Sequence, residues 1–377
     1  TGRTAVFRVV PNGVKTQEIE IIQGNSYIPT TDGEFPIIAW TGVEADKPLE
    51  KFPVMKASGI NIYLGWYDDL ETTLKVLDAA QKTGVKMITS CKDLLSVATA
   101  EEVVKAMMNH PALYAYHLKD EPEVNDLPGL GELVKKIKTI DSHHPCYINL
   151  YPNWAWGKEL YSENVNSFIE QVPVPFISFD NYSIVSINGA PSMIRPDWYR
   201  NLEEISAAAK ESNKPFWAFA LALSHKLDET HFYKIPTLPE LRLQVFSDLA
   251  YGAQAIQYFT YRGLQHDEPT EVYDLVKTVN QEVQQLAGIF LGAQVISVSH
   301  TGSEIPEGTK ALGSLPTPIK SLTTSDTGAV VSVLEKGGNQ YLVVVNRDFR
   351  NVMNLSIDVD SSVSRVLKNG STTTPDG

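Results

Sequence analysis

The sequence has few cysteines, no cluster of basic residues and no long apolar run. Its two cysteines, Cys91 and Cys146, fall on strands that the fold predicted below does not make neighbours, so we expect two buried thiols rather than a disulfide. Lysine and arginine total 32 against 45 acidic residues, and the net charge of -13 argues against nucleic acid as a partner. No apolar stretch approaches the roughly 20 residues of a membrane span. Neutral sugars remain compatible partners.

A repeated unit of a short apolar run, a polar loop and a longer helical segment fills the middle of the chain. The composition, 43% hydrophobic and 20% charged, can supply one large core and a smaller one. Eight such runs occur, and each is apolar throughout, as parallel strands buried on both faces are. The runs are residues 35–40, 60–66, 86–90, 113–118, 146–150, 176–179, 216–221 and 255–261.

The segments between the runs have helical periodicity. Residues 70–84 place Leu70, Leu74 and Leu77 at helix spacing before a stop at Gly84, and residues 127–140 repeat the pattern. Alternating strands and helices form an open doubly wound sheet or a closed barrel. Eight units favour the barrel, and no Gly-rich dinucleotide fingerprint follows the first strand. We therefore predict an α/β fold, a (β/α)8 barrel.

The two ends of the chain have a different pattern. Residues 4–10 and 17–22 are short β-type runs, and residues 294–299, 330–335, 340–345 and 354–359 are strand-like. These patterns predict N-terminal β-strands over 1–34, the catalytic barrel over 35–290 and a small C-terminal β-sandwich over 291–377. We expect the N-terminal strands to pack on the sandwich, and we expect no residue after 300 to reach the catalytic pocket.

The best candidate for chemistry is the end of the fourth strand. Reactive groups of a (β/α)8 barrel lie at the carboxyl ends of its strands, and there the chain reads Asp120-Glu121-Pro122. Paired acids in a cleft shift each other's pKa, so one can stay protonated and act as a general acid. The alternative is a solvated loop with a helix-capping acid. The same tripeptide recurs at 267–269, where we expect acids in the first turn of a helix.

Three stretches resemble one group of enzymes. Residues 116–122 look like the strand-four signature of the large clan of (β/α)8 retaining glycosidases, in which the glutamate of Asn-Glu-Pro is the acid/base. Residues 241–261 resemble the helix-seven to strand-eight region of bacterial β-galactosidase-like members. Phe179-Asp180-Asn181-Tyr182 is similar to their strand-six end. The resemblance implies a glycoside hydrolase in which Glu121 is the general acid, with Asp120 and Asp180 beside it.

The seventh strand departs from that clan. Retaining members carry their nucleophilic glutamate at its end, but residues 215–225 contain no carboxylate. Three chemistries stay open. In the first, Asp180 is the base of an inverting pair, for which we expect carboxyls about 6.5–9.5 Å apart. In the second, Asp120 steers a substrate acetamido group that attacks in place of a nucleophile, as the resemblance to hexosaminidase-like barrels implies. In the third, Glu229 completes a retaining pair.

Aromatic residues at the strand ends suit a sugar site, because pyranose C–H faces stack on aromatic rings while hydroxyls bind polar groups. For residues inside the strands, such as Trp40, a core role is the alternative. No metal-ligand spacing or phosphate loop accompanies the histidines, so we expect no metal and no cofactor. The expected substrate-binding residues are Trp40, Trp66, Asp68, Tyr151, Trp154, Tyr182, His225 and Tyr261.

The function predicted from these observations is cleavage of an O-glycosidic bond in an oligo- or polysaccharide. A barrel that binds carbohydrate but has lost catalysis is the alternative, and the missing carboxylate on strand seven is its main support. The resemblance, together with a first residue that is not Met, leads us to expect a secreted, periplasmic or cell-surface protein.

Overall fold

The computed structural model describes residues 4–9 and 33–375. Its strands are β1 (Thr4–Val9), β2 (Ile37–Trp40), β3 (Ile62–Trp66), β4 (Lys86–Ser90), β5 (Leu113–Asp120), β6 (Cys146–Leu150), β7 (Ile177–Phe179), β8 (Ile184–Ile187), β9 (Met193–Ile194), β10 (Phe216–Leu221), β11 (His225–Lys226), β12 (His231–Tyr233), β13 (Ala255–Phe259), β14 (Gln294–His300), β15 (Ile319–Thr324), β16 (Ala329–Lys336), β17 (Asn339–Asn346), β18 (Leu355–Val359), β19 (Ser364–Val366) and β20 (Thr372–Thr373). Its helices are α1 (Pro48–Ala57), α2 (Leu70–Thr83), α3 (Ala100–Met107), α4 (Leu127–Ile140), α5 (Tyr161–Gln171), α6 (Trp198–Glu211), α7 (Leu238–Ala250), α8 (Tyr273–Gln285) and α9 (Ala287–Phe290).

Eight parallel strands form a closed barrel in the order β10-β13-β2-β3-β4-β5-β6-β7. These are the eight predicted strands, so the predicted (β/α)8 barrel is confirmed. Large side chains fill its interior: Trp217 and Tyr147 are completely buried, and Phe176 stacks on Trp217 with ring centroids 3.7 Å apart. No described helix is long and apolar enough to span a membrane.

The helix signals in the sequence agree with the observed bounds. Helix α2 begins after Asp69, whose carboxylate accepts a hydrogen bond from the Thr72 amide at 2.8 Å. It ends at Gly84, which has a φ of 72°, a conformation that glycine adopts without strain. On α4 the apolar stripe, including Leu133 and Ile137, is buried as predicted. Cys91 and Cys146 are buried free thiols.

The rest of the described chain forms antiparallel sheets. A six-stranded sheet, β14-β16-β17-β1-β19-β20, faces the two-stranded sheet β15-β18 across an apolar layer that includes Phe7, Leu322 and Val344. Gly337 and Gly338, both with positive φ, make the turn between β16 and β17. Strand β1 pairs with β17 and β19, so the N-terminal strand completes the C-terminal sheet. The second predicted N-terminal run, 17–22, lies outside the described residues.

A small sheet that the sequence patterns did not predict lies at the barrel mouth. Its order is β11-β12-β8-β9, and it is built from the segments that follow β7 and β10. The run Ile184–Ile187 was the available signal, because it is β-branched and lies in a connection too long for a simple loop.

Candidate active site

A pocket of about 220 Å³ opens at the carboxyl ends of the barrel strands and is bordered by the small sheet. No described residue after 300 lines it, as expected. The lining residues are Trp40, Asp120, Glu121, Asn149, Trp154, Asp180, Tyr182, Phe219, His225, Leu227, Tyr233 and Phe259.

Two neighbouring carboxylates enter this pocket from β5. Asp120 is the last residue of the strand and Glu121 follows it, although alternation along a strand would send adjacent side chains to opposite faces. A register shift between His117 and Lys119 interrupts the pairing of β5 with β6, and Glu121 has a φ of 48°. A left-handed conformation is costly for a residue with a β-carbon, and residues held in it cluster at active sites. The local backbone therefore brings both acids to one pocket.

The third carboxylate, Asp180, follows β7 and is linked to Asp120 through the Asn149 side chain. The Asn149 side-chain amide donates to Asp120 at 3.2 Å and to Asp180 at 3.0 Å. Its oxygen accepts a hydrogen bond from Ser178 at 2.9 Å, and Ser178 accepts one from Gln257, also at 2.9 Å. Since the amide oxygen is occupied by Ser178, the NH2 group must point at the two acids. Sequence reasoning missed Asn149; a polar residue near the end of a buried strand was its signal.

All three carboxyls have raised pKa values. Burial raises the pKa of Glu121 to about 7; the charge of Asp120 adds to this rise, and a hydrogen bond with Asp180 opposes it. Burial, followed by the charges of Glu121 and Asp120, holds the pKa of Asp180 well above its usual range. Burial also raises the pKa of Asp120, against the hydrogen bond from Asn149. The pocket therefore retains at least one carboxyl proton near neutral pH.

The side chains of Glu121 and Asp180 hydrogen-bond each other. We expected these carboxyls to be separated by the wider spacing of an inverting pair, and the hydrogen bond argues against that spacing. A water molecule that attacks opposite the acid needs a gap of about 6.5–9.5 Å between the two groups, and groups in hydrogen-bond contact leave no such gap. Burial makes it unfavourable for both carboxyls to be charged, so a proton retained by the pair lowers the cost of this contact.

The seventh barrel strand, β10, brings no carboxylate to the pocket. Glu229, the candidate in the following loop, has a side chain that is 91% exposed and pairs with Lys226 at 2.7 Å. It does not line the pocket, so the retaining pair of Glu121 and Glu229 is not formed. Within residues 4–9 and 33–375, no group of three or more His, Cys, Asp and Glu side chains is placed to hold a metal ion.

Aromatic rings form most of the remaining wall. Trp40, Trp154, Tyr182 and His225 line the pocket, as the sequence predicted. The guanidinium of Arg195 lies 4.3 Å from the centre of the Trp154 ring, a cation–π contact.

Sequence reasoning missed three other aromatic lining residues, Phe219, Tyr233 and Phe259. Tyr233 lies on β12 of the unpredicted sheet, where it stacks on His225 with ring centroids 4.7 Å apart. Phe219 and Phe259 lie inside predicted strands, where a core role was the simpler interpretation. Which face of the strand each occupies follows only from the closed barrel.

The other predicted sugar-binding residues lie elsewhere. Trp66 and Asp68 line a neighbouring cavity, and the Tyr151 hydroxyl donates to Glu123 at 3.3 Å, outside the pocket lining. Tyr261 was expected at the mouth, but it is completely buried in the turn after β13. Its hydroxyl contacts the Lys51 carbonyl at 3.1 Å and the Gln265 side chain at 2.5 Å. The prediction that Tyr261 binds substrate is therefore wrong, because its polar atom is occupied inside the core.

Comparisons with known proteins support the fold. No family model matches the chain, and no curated protein matches it. Among solved structures, a family 5 glycoside hydrolase from Bacteroides vulgatus is 13% identical with a TM-score of 0.50, over 86% of this chain and 96% of that one. An endo-1,4-β-mannanase from Eisenia fetida is 12% identical with a TM-score of 0.46, over 74% and 95%. An endoglucanase from Pseudomonas stutzeri is 13% identical with a TM-score of 0.46, over 61% and 84%. The likeness to the Bacteroides vulgatus structure supports a shared barrel fold, and at 13% identity it shows nothing finer.

Proposed function

We propose that the protein is a glycoside hydrolase that cleaves an O-glycosidic bond, with Glu121 as the general acid. The observation that carries the proposal is a carboxyl with a pKa of about 7 in a small aromatic-walled pocket at the catalytic face of a (β/α)8 barrel. An acid whose pKa lies near the working pH is protonated often enough to donate and acidic enough to do so readily. Membership of the retaining clan remains a prediction from the sequence resemblance.

The arrangement of the acids favours one of the three chemistries. Asp180 contacts Glu121 directly, which disfavours an inverting pair, and Glu229 is remote from the pocket. Attack by the substrate's own 2-acetamido group needs no further nucleophile, and Asp120 adjoins the acid as that route requires. We therefore propose an N-acetylhexosaminide as the substrate class.

In this route the acetamido oxygen forms a bond to C1 while the bond from C1 to the leaving oxygen breaks. Glu121 gives its proton to that oxygen, and Asp120 holds the acetamido N–H as positive charge develops on the ring that forms. Water then attacks C1, the bond from C1 to the acetamido oxygen breaks, and the Glu121 carboxylate takes the proton from water. The bridging Asn149 amide stabilises Asp120 in its charged form.

The test is turnover of 4-nitrophenyl glycosides and of 1→4-linked oligosaccharides built from N-acetylglucosamine, glucose and mannose. We expect hydrolysis of the N-acetylglucosamine series and inhibition by the matching thiazoline, which mimics the cyclic intermediate. Glu121→Gln should lower kcat by at least about 10²-fold on substrates with poor leaving groups.

Glu268→Gln is the matched control. Glu268 belongs to the second Asp-Glu-Pro tripeptide, which lies in an exposed loop before α8 and not in the first turn of that helix as expected. If glucosides are cleaved as fast as N-acetylglucosaminides, the substrate-assisted route is refuted but the assignment as a glycosidase stands. Binding without turnover in the whole panel would establish the alternative, a catalytically inactive carbohydrate-binding barrel, which the missing carboxylate on β10 favours.

A further inference from the structure

A second cavity, of about 570 Å³, lies at the same face of the barrel. It is built from the ends of β3 and β4 and from the His117 side chain of β5, the strand that also carries Asp120 and Glu121. Its lining residues are Trp66, Tyr67, Asp68, Ser90, Cys91, Lys92, Leu95 and His117.

The cavity adjoins the catalytic pocket across the Trp40 ring. Trp40 lines the pocket and contacts two residues of the cavity edge-on, Trp66 at 5.9 Å and His117 at 5.7 Å between ring centroids. Trp66 is itself stacked on His117, with centroids 5.1 Å apart and an angle of 16° between the rings. The catalytic pocket and the cavity therefore share one aromatic wall.

Exposed apolar groups border this cavity. Trp66 is 47% exposed and Leu95 is 50% exposed, and an apolar surface left open beside a pocket commonly marks a binding site. The stack on His117 holds the Trp66 ring in a fixed orientation, which lowers the entropy lost when a ligand binds to it.

The charges in the cavity favour a neutral occupant. The lining includes one acid, Asp68, and one base, Lys92. Burial lowers the pKa of His117 to about 4, so the imidazole is uncharged near neutral pH. No excess of either sign is present to attract a charged sugar.

We infer that this cavity, here called the Trp66 subsite, binds a second, uncharged sugar unit of the glycan whose glycosidic bond lies at Glu121. The inference rests on the proposed function for the identity of the glycan, and it adds that the substrate is an oligosaccharide that extends past Trp40 toward β3 and β4. The occupant follows from the adjacency of the two sites across Trp40, the exposed aromatic ring and the balanced charge of the lining.

The experiment measures binding as a function of chain length. In the Glu121→Gln protein, whose kcat should be at least about 10²-fold lower, isothermal titration calorimetry is carried out with one to four 1→4-linked units of N-acetylglucosamine, glucose and mannose. We expect affinity in one series to rise at least tenfold between one and three units. Trp66→Ala in the same background should reduce that rise to less than about threefold.

A matched pair of variants separates ligand contact from altered packing. Leu95→Ala truncates a half-exposed leucine in the subsite, and Leu49→Ala truncates one that is 55% exposed on α1, outside both sites. We expect Leu95→Ala to weaken binding of the three-unit ligand while leaving the single unit unchanged, and Leu49→Ala to change neither. A rise with length that survives both Trp66→Ala and Leu95→Ala would overturn the inference.

The two proposals can fail separately. If the wild-type protein cleaves no probe but binds longer chains through Trp66, the subsite stands and the glycosidase is refuted. If it cleaves a probe with no dependence on chain length or on Trp66, the glycosidase stands and the subsite is refuted. No binding and no cleavage across the panel would overturn both.

Discussion

Glu121 and Asp180, which follow different strands of the barrel, share a hydrogen bond between their carboxyl groups in the candidate active site. Two carboxyls in contact cannot both be ionised at low cost, so the pair holds a proton at a pH where an isolated carboxyl would have lost it. The pKa of Glu121 is about 7. The first two predictions follow from this pair.

The activity should depend on a protonated Glu121. Because a general acid works only in its protonated form, kcat/KM should fall as the pH rises through about 7. Asp120→Asn removes a negative charge that raises this pKa, so the alkaline limb should move to lower pH. Glu123→Gln removes a charge that raises the pKa of Glu121 less, so the alkaline limb should move by a smaller amount. The alkaline limbs of the wild-type protein, Asp120→Asn and Glu123→Gln are measured as profiles of kcat/KM between pH 4 and 9, with a glycoside that the wild-type protein hydrolyses. An unshifted limb in Asp120→Asn would show that Asp120 does not set the pKa of Glu121.

Asp180 should reduce stability at alkaline pH. Its pKa is raised in the folded protein, so folding favours the protonated form, and stability is lost as the pH rises from the unfolded value of about 3.9 through the folded value. We expect Asp180→Asn to raise the free energy of unfolding at pH 8 by about 0.5–2 kcal/mol, and by less at pH 5.

Asp141→Asn is the control for Asp180→Asn in urea denaturation at the two pH values. Asp141 has a lowered pKa and accepts a hydrogen bond from the Tyr116 hydroxyl at 2.7 Å. Its substitution should therefore destabilise the protein at both pH values. A destabilising Asp180→Asn at pH 8 would contradict the interpretation of a shared proton.

The left-handed backbone at Glu121 should be measurable as strain. Glu121→Gly and Glu121→Ala both remove the carboxyl, but alanine keeps the β-carbon that disfavours a φ of 48°. The glycine variant should be more stable than the alanine variant by about 1 kcal/mol in chemical denaturation. At Asp120, which has no positive φ, the order should reverse because glycine costs more backbone entropy in a strand. The same order at both positions would mean that the backbone at Glu121 is unstrained.

Tyr261→Phe should affect stability and not substrate binding. The variant removes a completely buried hydroxyl that contacts Lys51 and Gln265, so we expect a loss of about 1–2 kcal/mol in the free energy of unfolding. KM should stay within about twofold of the wild-type value. Tyr182→Phe, in the pocket wall, provides the contrast, because its effect should be on KM. A several-fold rise in KM for Tyr261→Phe would restore Tyr261 to the binding site.

The sequence alone determined the barrel and the position of its acid pair. Eight apolar runs, each followed by a helical segment, are typical of parallel strands buried on both faces, and the carboxyl ends of such strands form the open face of a barrel. Local pattern therefore sufficed to predict the strands, helices α2 and α4, the end of α2 at Gly84, and Asp120, Glu121 and Asp180 at the mouth.

Only the tertiary structure decided how these parts meet. The active site joins residues that are far apart in the chain: Glu121 contacts Asp180, Asn149 bridges two of the acids, and β12 supplies part of the pocket wall. The distances between these residues depend on barrel closure and on the backbone conformation at Glu121. Tyr261 was misplaced for the same reason. Periodicity shows that a residue ends a strand, but burial and hydrogen-bond partners decide whether its side chain faces the pocket or the core.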